Sequence, residues 1–317
     1  MKNIDIKSQN KLSFKFSFFL LEYGGCTMKV GAFPDFIIED QIKQWIKADV
    51  QYGDISSSII PANHQSKAKI IAKSEGIIAG LEIANYICKL FKLSVDFHKK
   101  DGDRIKKGDI ILFINGNTRN ILMAERTMLN MMMKMSTIAT TVNAMITTLR
   151  QANLKTKIAA TRKTTPSFGL FEKMAFIIGG GDSHRMDLSD MVLLKDTHRD
   201  IFKENIEEMI KQAKQNTSFS KKIEVELENP SHVEIALSAG ADVIMLDNMK
   251  PETIKEIMEV INTKYPQRKT LIEASGNIGT HNYLEYAKTG VDIISTSQPI
   301  FTPDKIIDLS LKIDKSD

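Results

Sequence analysis

Long apolar runs are missing from this chain. No stretch of about 18 consecutive apolar residues occurs in its 317 residues, so no membrane-spanning helix is expected. Cysteine is nearly absent. Cys26 and Cys88 are the only two. They are too few for a metal framework and are expected as reduced thiols in a cytoplasmic protein, not as a disulfide. A large excess of one charge is missing as well. Lys and Arg number 43 against 39 Asp and Glu, a net charge of +4. That suits anionic ligands but is too small and too dispersed for nucleic acid. What remains is an ordinary globular composition, 42% hydrophobic and 26% charged. The length allows two domains, each with its own core.

Residues 11–22, LSFKFSFFLLEY, faintly imitate a signal peptide. A lysine interrupts the apolar run and no A-x-A site follows, so export is not expected. Met28 is a candidate alternative start, since organised patterning begins near residue 34. Residues 1–27 are expected to be an extension with little structure.

Residues 34–48 predict a helix, with Ile37, Ile38, Ile42, Trp45 and Ile46 at helical spacing. Short strands follow at 68–76, 94–103 and 108–117, with a helix (LEIANYICKLF) between the first two. These make an α+β domain over 28–138. DGDRIKKGDIILFINGN has the look of the hammerhead turn of biotinyl and lipoyl carriers, with Met133-Lys134-Met135 as the modified-lysine motif. The spacing excludes it, because Lys134 lies in a helical run from about 120 to 149 and not on a hairpin tip. The methionines there (123, 128, 131, 132, 133 and 135) read as core and interface filler.

From residue 157 the pattern becomes strand then helix, repeated. The apolar runs are KIAAT (157–161), MVLLKD (191–196), KIEVEL (222–227), DVIMLDN (242–248), TLIEAS (270–275) and DIISTS (292–297). Helices are predicted at 202–215, 231–238, 251–262 and 281–288. Alternation with short links predicts parallel strands, in an α/β fold with an incomplete β/α barrel over 139–303. The tail 304–317 is expected to pack on the N-terminal domain. A doubly wound sheet ranks second, since no G-x-G-x-x-G follows the first strand.

Every run ends in polar or charged residues: Thr161-Arg162-Lys163, Lys195-Asp196, Glu226, Asp247-Asn248, Ser275-Gly276 and Ser295-Thr296-Ser297. Barrel sites are fed by several strand ends. Arg162, Lys163, Arg185 and Lys195 supply cations, and guanidinium forks suit carboxylates and phosphates. Glu226 and Asp247, on neighbouring strands, suit Mg²⁺ held partly through water. Ser275-Gly276-Asn277 precedes a helix and can offer backbone N–H groups to a phosphate. Gly179-Gly180-Gly181 reads as a flexible helix end whose use is to aim His184-Arg185. His198 reads as structural.

Six segments carry a resemblance: ATRKTTP (160–166), GGGDSHRMDLSDMVLLKDTH (179–198), KIEVELEN (222–229), ADVIMLDN (241–248), EASGNI (273–278) and YAKTGVDIIS (286–295). With YGDISSSIIP (52–61) and ERTMLNMMMKMSTIAT (125–140), they resemble the quinolinate phosphoribosyltransferase family, also called nicotinate-nucleotide pyrophosphorylase (carboxylating). The resemblance implies a mixed N-terminal domain, an incomplete barrel, and a dimer or larger homo-oligomer in which Arg126 reaches across the interface. It implies transfer of phosphoribosyl from phosphoribosyl pyrophosphate to quinolinate with loss of CO₂, using Mg²⁺. Arg126, Thr161, Arg162, Lys163, His184, Arg185, Lys195, Glu226 and Asp247 match the substrate-binding positions. Lys163, Lys195, Glu226 and Asp247 match the catalytic ones. Ser275, Gly276, Asn277, Thr296, Ser297 and Gln298 match the phosphate-binding loops. No membrane and no nucleic acid are implied.

Two departures stand out. Thr197 replaces an asparagine usual in the family. After the last strand, Ser297 replaces a glycine and Phe301 a histidine. That last loop looks more like the homologous protein of molybdenum-transport operons, which is the alternative. A non-catalytic binding relative is the third reading.

Overall fold

The computed structural model describes residues 19–23, 26–30 and 35–314. Strands β1 (Phe19–Tyr23) and β2 (Cys26–Val30) pair antiparallel ahead of helix α1 (Asp35–Asp49). This corrects the expectation of little structure for those residues; residues 1–18 lie outside the described ones. Next come β3 (Gln65–Ala72), β4 (Gly76–Ile77), α2 (Leu81–Leu90), β5 (Ser94–Phe97), β6 (Arg104–Ile105) and β7 (Ile110–Asn117). Helix α3 runs from Thr118 to Gln151.

The second half contains β8 (Lys157–Ala160), α4 (Gly169–Ile178), β9 (Val192–Leu194), α5 (Asp196–Ile201), α6 (Ile206–Asn216) and β10 (Ile223–Leu227). It continues with α7 (Val233–Ser238), β11 (Val243–Asp247), α8 (Pro251–Lys264), β12 (Leu271–Ser275), α9 (Tyr283–Lys288), β13 (Ile293–Thr296), α10 (Gln298–Phe301) and β14 (Leu309–Ile313). The helix predicted over 202–215 begins only at Ile206, as α6, and α5 lies before that span. Lys203 and Glu204 separate the two with φ of 52° and 61°, and Asn205 caps α6 by accepting from the Glu208 N–H at 3.1 Å.

The first sheet is antiparallel, ordered β14-β3-β7-β5. The chain's last strand thus lies beside β3, far from it in sequence. Helix α3 holds β4, the turn into α2 and the approach to β14 with small hydroxyls. Ser136 accepts from Ala79 N (2.9 Å), Thr137 from Ile307 N (3.0 Å) and Thr140 from Ile77 N (2.9 Å). Its Met128, Met131, Met132 and Met135 are buried in the core.

Six parallel strands form the second sheet, ordered β8-β13-β12-β11-β10-β9. This is chain order with a single break, between β8 and β9. A doubly wound sheet reverses at a switch point; here the first strand pairs with the last, as in a barrel left open along one seam. Asp182 lies at that seam, bridged to Ala159.

The register divides the strands into two faces, because side chains alternate. One face carries Ile158, Ala160, Leu194, Ile223, Val225, Leu227, Ile244, Leu246, Ile272, Ala274 and Ile294, all within the hydrophobic core cluster. The other carries Glu224, Glu226, Asp247, Glu273, Ser275 and Ser295. Buried Ala159, Val243 and Met245 share that second face and stand outside the core cluster. The lumen is therefore lined with charge.

Candidate active site

The loop after β8 delivers Thr161, Arg162 and Lys163. Thr161 accepts from the Lys163 N–H at 3.0 Å, which turns the chain. Farther on, the fully buried Glu172 of α4 accepts from both the Thr165 N–H (2.8 Å) and the Thr165 hydroxyl (2.7 Å). Lys134 of α3 lies 3.5 Å from the same carboxylate and donates to Ile300 O at 2.6 Å. One buried acid thus binds together α3, α4, the first site loop and α10.

The three glycines at the end of α4 are packing requirements. A Cβ on Gly179 would stand 2.6 Å from Ala139 O, and one on Gly181 would stand 3.0 Å from Ile158 O. Gly180 has φ +95°. Only a bare backbone passes between α3 and β8 here, and it emerges at Asp182 to His184.

His184 is held at every polar atom. Its N–H donates to Asp182 Oδ1 (2.9 Å), and its Nδ1 accepts from the Arg185 N–H (2.8 Å). Nε2 lies 3.1 Å from Glu273 and 3.4 Å from Glu224. Burial alone would lower this histidine, but the two acids outweigh burial and push it up to about 10. The Arg185 N–H opposes a second ring proton, since it needs a bare Nδ1. Geometry decides the point common to both charge states: the proton on Nε2 faces the glutamates.

Lys173 is 2% exposed and donates to Ser183 O (2.5 Å) and Arg185 O (2.8 Å). Burial first, and then the charges of Arg162 and Arg185, hold it down at about 8, against an ordinary 10.5. Burial, then Arg162, likewise lowers Arg185, while Glu224 and Glu226 oppose this. These cations therefore share one field.

The sign of the Lys173 effect is testable. The unfolded chain binds more protons than the folded one between pH 8 and 10.5, so stability from this group rises across that window. The difference in urea midpoint between the parent and Lys173→Met is expected to move in the parent's favour from pH 7.5 to about 9.5. A difference that moves the other way contradicts the assignment.

Lys195 leaves β9 and lies 3.1 Å from Glu226 of β10. Its backbone N–H donates to His198 Nδ1 at 3.0 Å, so His198 fixes the start of α5. Burial pushes the Asp247 carboxyl up and Glu228 adds to this; Ser275, Lys195 and Lys163 pull it back. Asn248, with φ 53°, donates its side chain to Asp247 at 2.5 Å and its backbone N–H to Ser275 O at 3.0 Å. Arg162, Lys163, His184, Arg185, Lys195, Glu226, Asp247 and Ser275 thus converge. Arg126 does not. It is exposed on α3 and has no ion pair among the described residues.

In the expected phosphate loops, Gly276 has φ +93°, and a Cβ there would stand 2.7 Å from the Asn248 N. Asn277 follows with φ 52°. Thr296 is buried. Its hydroxyl donates to Ile278 O (2.6 Å) and accepts from the Gln298 N–H (3.1 Å), locking two loops together. The Gln298 side chain turns away, donating to Thr302 O and to Asp304 at 3.3 Å. Ser297 has φ −105°, so the position accepts a side chain without backbone strain.

The sequence reading passed over Glu224, Glu273, Glu172 and Lys173. A signal was available. The run IEVELE alternates acid with apolar, which marks a charged face, and Glu172-Lys173 interrupts the apolar helix GLFEKMAFII. A groove lined by Glu207, Lys211, Lys214, Gln215 and Ala239 lies where α6 and α7 lead into their strands, at the end opposite the site.

Residues 54–136 match the family described as "Quinolinate phosphoribosyl transferase, N-terminal domain", and residues 138–312 match its C-terminal domain. The chain belongs to the quinolinate phosphoribosyl transferase family. It is 42% identical over 275 residues to a probable nicotinate-nucleotide pyrophosphorylase [carboxylating] of Methanothermobacter thermautotrophicus, covering 86% of this chain and 98% of that one. The Dictyostelium discoideum protein of that name is 36% identical over 298 residues, covering 89% and 97%. The crystal structure of NadC from Streptococcus pyogenes superposes with a TM-score of 0.82 at 34% identity, covering 90% of this chain and 99% of that one. Among the described residues no helix is long and apolar enough to cross a membrane.

Family membership gives Gly276 a test. Gly276→Ala combines a left-handed φ with a clash against backbone, at about 2–4 kcal/mol together. Displacing Asn248 is the easiest relief, so the loss is expected in KM for phosphoribosyl pyrophosphate, measured by initial rates. An unchanged KM would detach this loop from the phosphate.

Proposed function

We propose that this chain transfers phosphoribosyl from phosphoribosyl pyrophosphate to quinolinate, giving nicotinate mononucleotide, pyrophosphate and CO₂. The observation that carries this reading is the pairing, in one lumen, of a cation cluster with an acidic pair. Arg162, Lys173 and Arg185 share a field at one side. Glu226 and Asp247 stand on adjacent strands at the other. A dicarboxylate suits the first and a ribose with its metal-bound diphosphate suits the second.

In this reading Arg162 and Arg185 bind the carboxylates, with Lys195 between them and Glu226. Arg126 of the partner subunit completes the clamp in a homodimer or larger homo-oligomer; its exposure in the single chain leaves it free for that role. His184, occupied at both nitrogens, shapes this pocket and aims Arg185. Lys163 faces the diphosphate. Backbone groups of Ser275–Asn277 and of Ser297 receive the 5′-phosphate, with Thr296 and Gln298 holding the second loop.

The residues fit Mg²⁺. Asp247 is held above the ordinary carboxylate range by burial and by Glu228, and hard oxygens from two strands face one space. Glu226 and Asp247 would hold the ion, partly through water, and the ion would neutralise diphosphate charge. Around it the protein's own groups position the reactants. The C1–O bond to pyrophosphate breaks as the pyridine nitrogen forms its bond to C1. The C–C bond to the 2-carboxylate then breaks, its electron pair held at C2 beside the cationic nitrogen until a proton joins there. No covalent nucleophile is needed; orientation and charge stabilisation supply the rate. The setting is cytoplasmic and the substrates are small molecules.

The test is a mixture of purified protein, quinolinate, phosphoribosyl pyrophosphate and Mg²⁺, followed for nicotinate mononucleotide. Product from quinolinate, and none from nicotinate, supports the reading. Turnover of another pyridine acid in place of quinolinate overturns it.

A further inference from the structure

Glu224 and Glu273 take no part in the reading above, yet both are fully buried on the lumen face. Among the described residues Glu224 Oε1 and Glu273 Oε1 have no hydrogen-bond partner, and Glu224 Oε2 has only a 3.4 Å ion-pair contact with His184. Uncompensated buried carboxylates are expensive, so their place calls for a compensating cation or donor. The group they approach is the Nε2 of His184, at 3.4 Å and 3.1 Å.

His184 itself is strained, with φ +52° on a residue that has a Cβ. Such a turn persists only when its surroundings fix it. Here Asp182 holds the His184 N–H, Lys173 holds Ser183 O and Arg185 O, and Glu273 holds the ring. The turn ends at Arg185, whose charge is felt by both Glu224 and Glu226.

We propose that Glu273, assisted by Glu224, is a positioning residue: by accepting the Nε2–H of His184 it fixes the left-handed turn Ser183–Arg185 and aims the Arg185 guanidinium at the substrate's carboxylates. This rests on the dicarboxylate reading of the site. The same three side chains place ligand atoms within 4.8 Å of one another, a spacing that also suits a metal ion. The charge of Arg185 acts on Glu224, and Lys173 holds the same turn, so a further cation is disfavoured. The ring's own N–H fills the role.

The ¹⁵N spectrum of the His184 ring in the ligand-free protein is the first measurement. It is expected to show a protonated Nε2, unchanged by a chelator. A bare Nε2, or a shift on chelation, overturns the proposal. Steady-state kinetics supply the second. Glu273→Leu is expected to raise KM for quinolinate at least about tenfold, with KM for phosphoribosyl pyrophosphate within about twofold, since misaiming affects one substrate. Glu273→Gln keeps an acceptor and should recover most of that loss. Equal changes in both KM values, or no recovery by glutamine, would mean a merely structural role. If the spectrum is as expected but quinolinate is not turned over, the substrate reading fails, and with it the aim at carboxylates, while the fixing of the Ser183–Arg185 turn by Glu273 stands. If quinolinate is turned over and Nε2 is bare, the positioning fails alone. The spectrum needs no variant, so a leucine variant that does not fold leaves the proposal decidable.

Discussion

Arg162→Ala is expected to lower kcat/KM for quinolinate at least about thirtyfold, the equivalent of roughly 2 kcal/mol for a lost charge-assisted fork. The effect should fall on function and not on folding. Arg162 is exposed, and its charge repels Lys173 and Arg185 in the free protein. Removing it relieves that repulsion, so the urea midpoint should hold or rise while turnover drops. A near-normal kcat/KM would mean that the carboxylate clamp lies elsewhere. A large loss of stability would mean that Arg162 is a structural residue.

Glu172→Ala is expected to cost about 3 kcal/mol of unfolding free energy, the low end for breaking a buried pair because Lys134 is partly exposed. Three partners are abandoned at once: the Thr165 N–H, the Thr165 hydroxyl and Lys134. The loop carrying Arg162 loses its anchor, so kcat/KM should fall together with stability. This joint loss distinguishes it from Arg162→Ala. A urea midpoint equal to the parent's would show that the network carries no weight.

The barrel was legible because parallel strands buried on both sides announce themselves as apolar runs, each ending where the chain surfaces. Thr161, Lys195, Asp247 and Ser275 stand at such ends, and that position alone marked them. Glu224 and Glu273 were harder to see, because they sit within runs whose neighbours are isoleucine, valine and alanine. Only the strand register shows that they face a lumen and not the core. The triglycine was visible, but its cause was not: the contact of Gly179 with Ala139 joins residues 40 apart in sequence. The start of the helix predicted from 202 was misplaced because Lys203 and Glu204 are ordinary helix formers placed in left-handed turns, so α6 begins at Ile206. His184 was expected as a substrate ligand on the family resemblance alone; both of its ring nitrogens have partners within the protein. Arg126 has no ion pair among the described residues that would reveal it.

In the proposed reaction one lumen joins quinolinate to a phosphoribosyl group and releases its 2-carboxylate. The most direct measurement uses quinolinate labelled in that carboxyl carbon, with phosphoribosyl pyrophosphate and Mg²⁺, and counts labelled CO₂ against nicotinate mononucleotide. The two are expected to appear one for one. Nucleotide that retains the label, or no nucleotide at all, would contradict it.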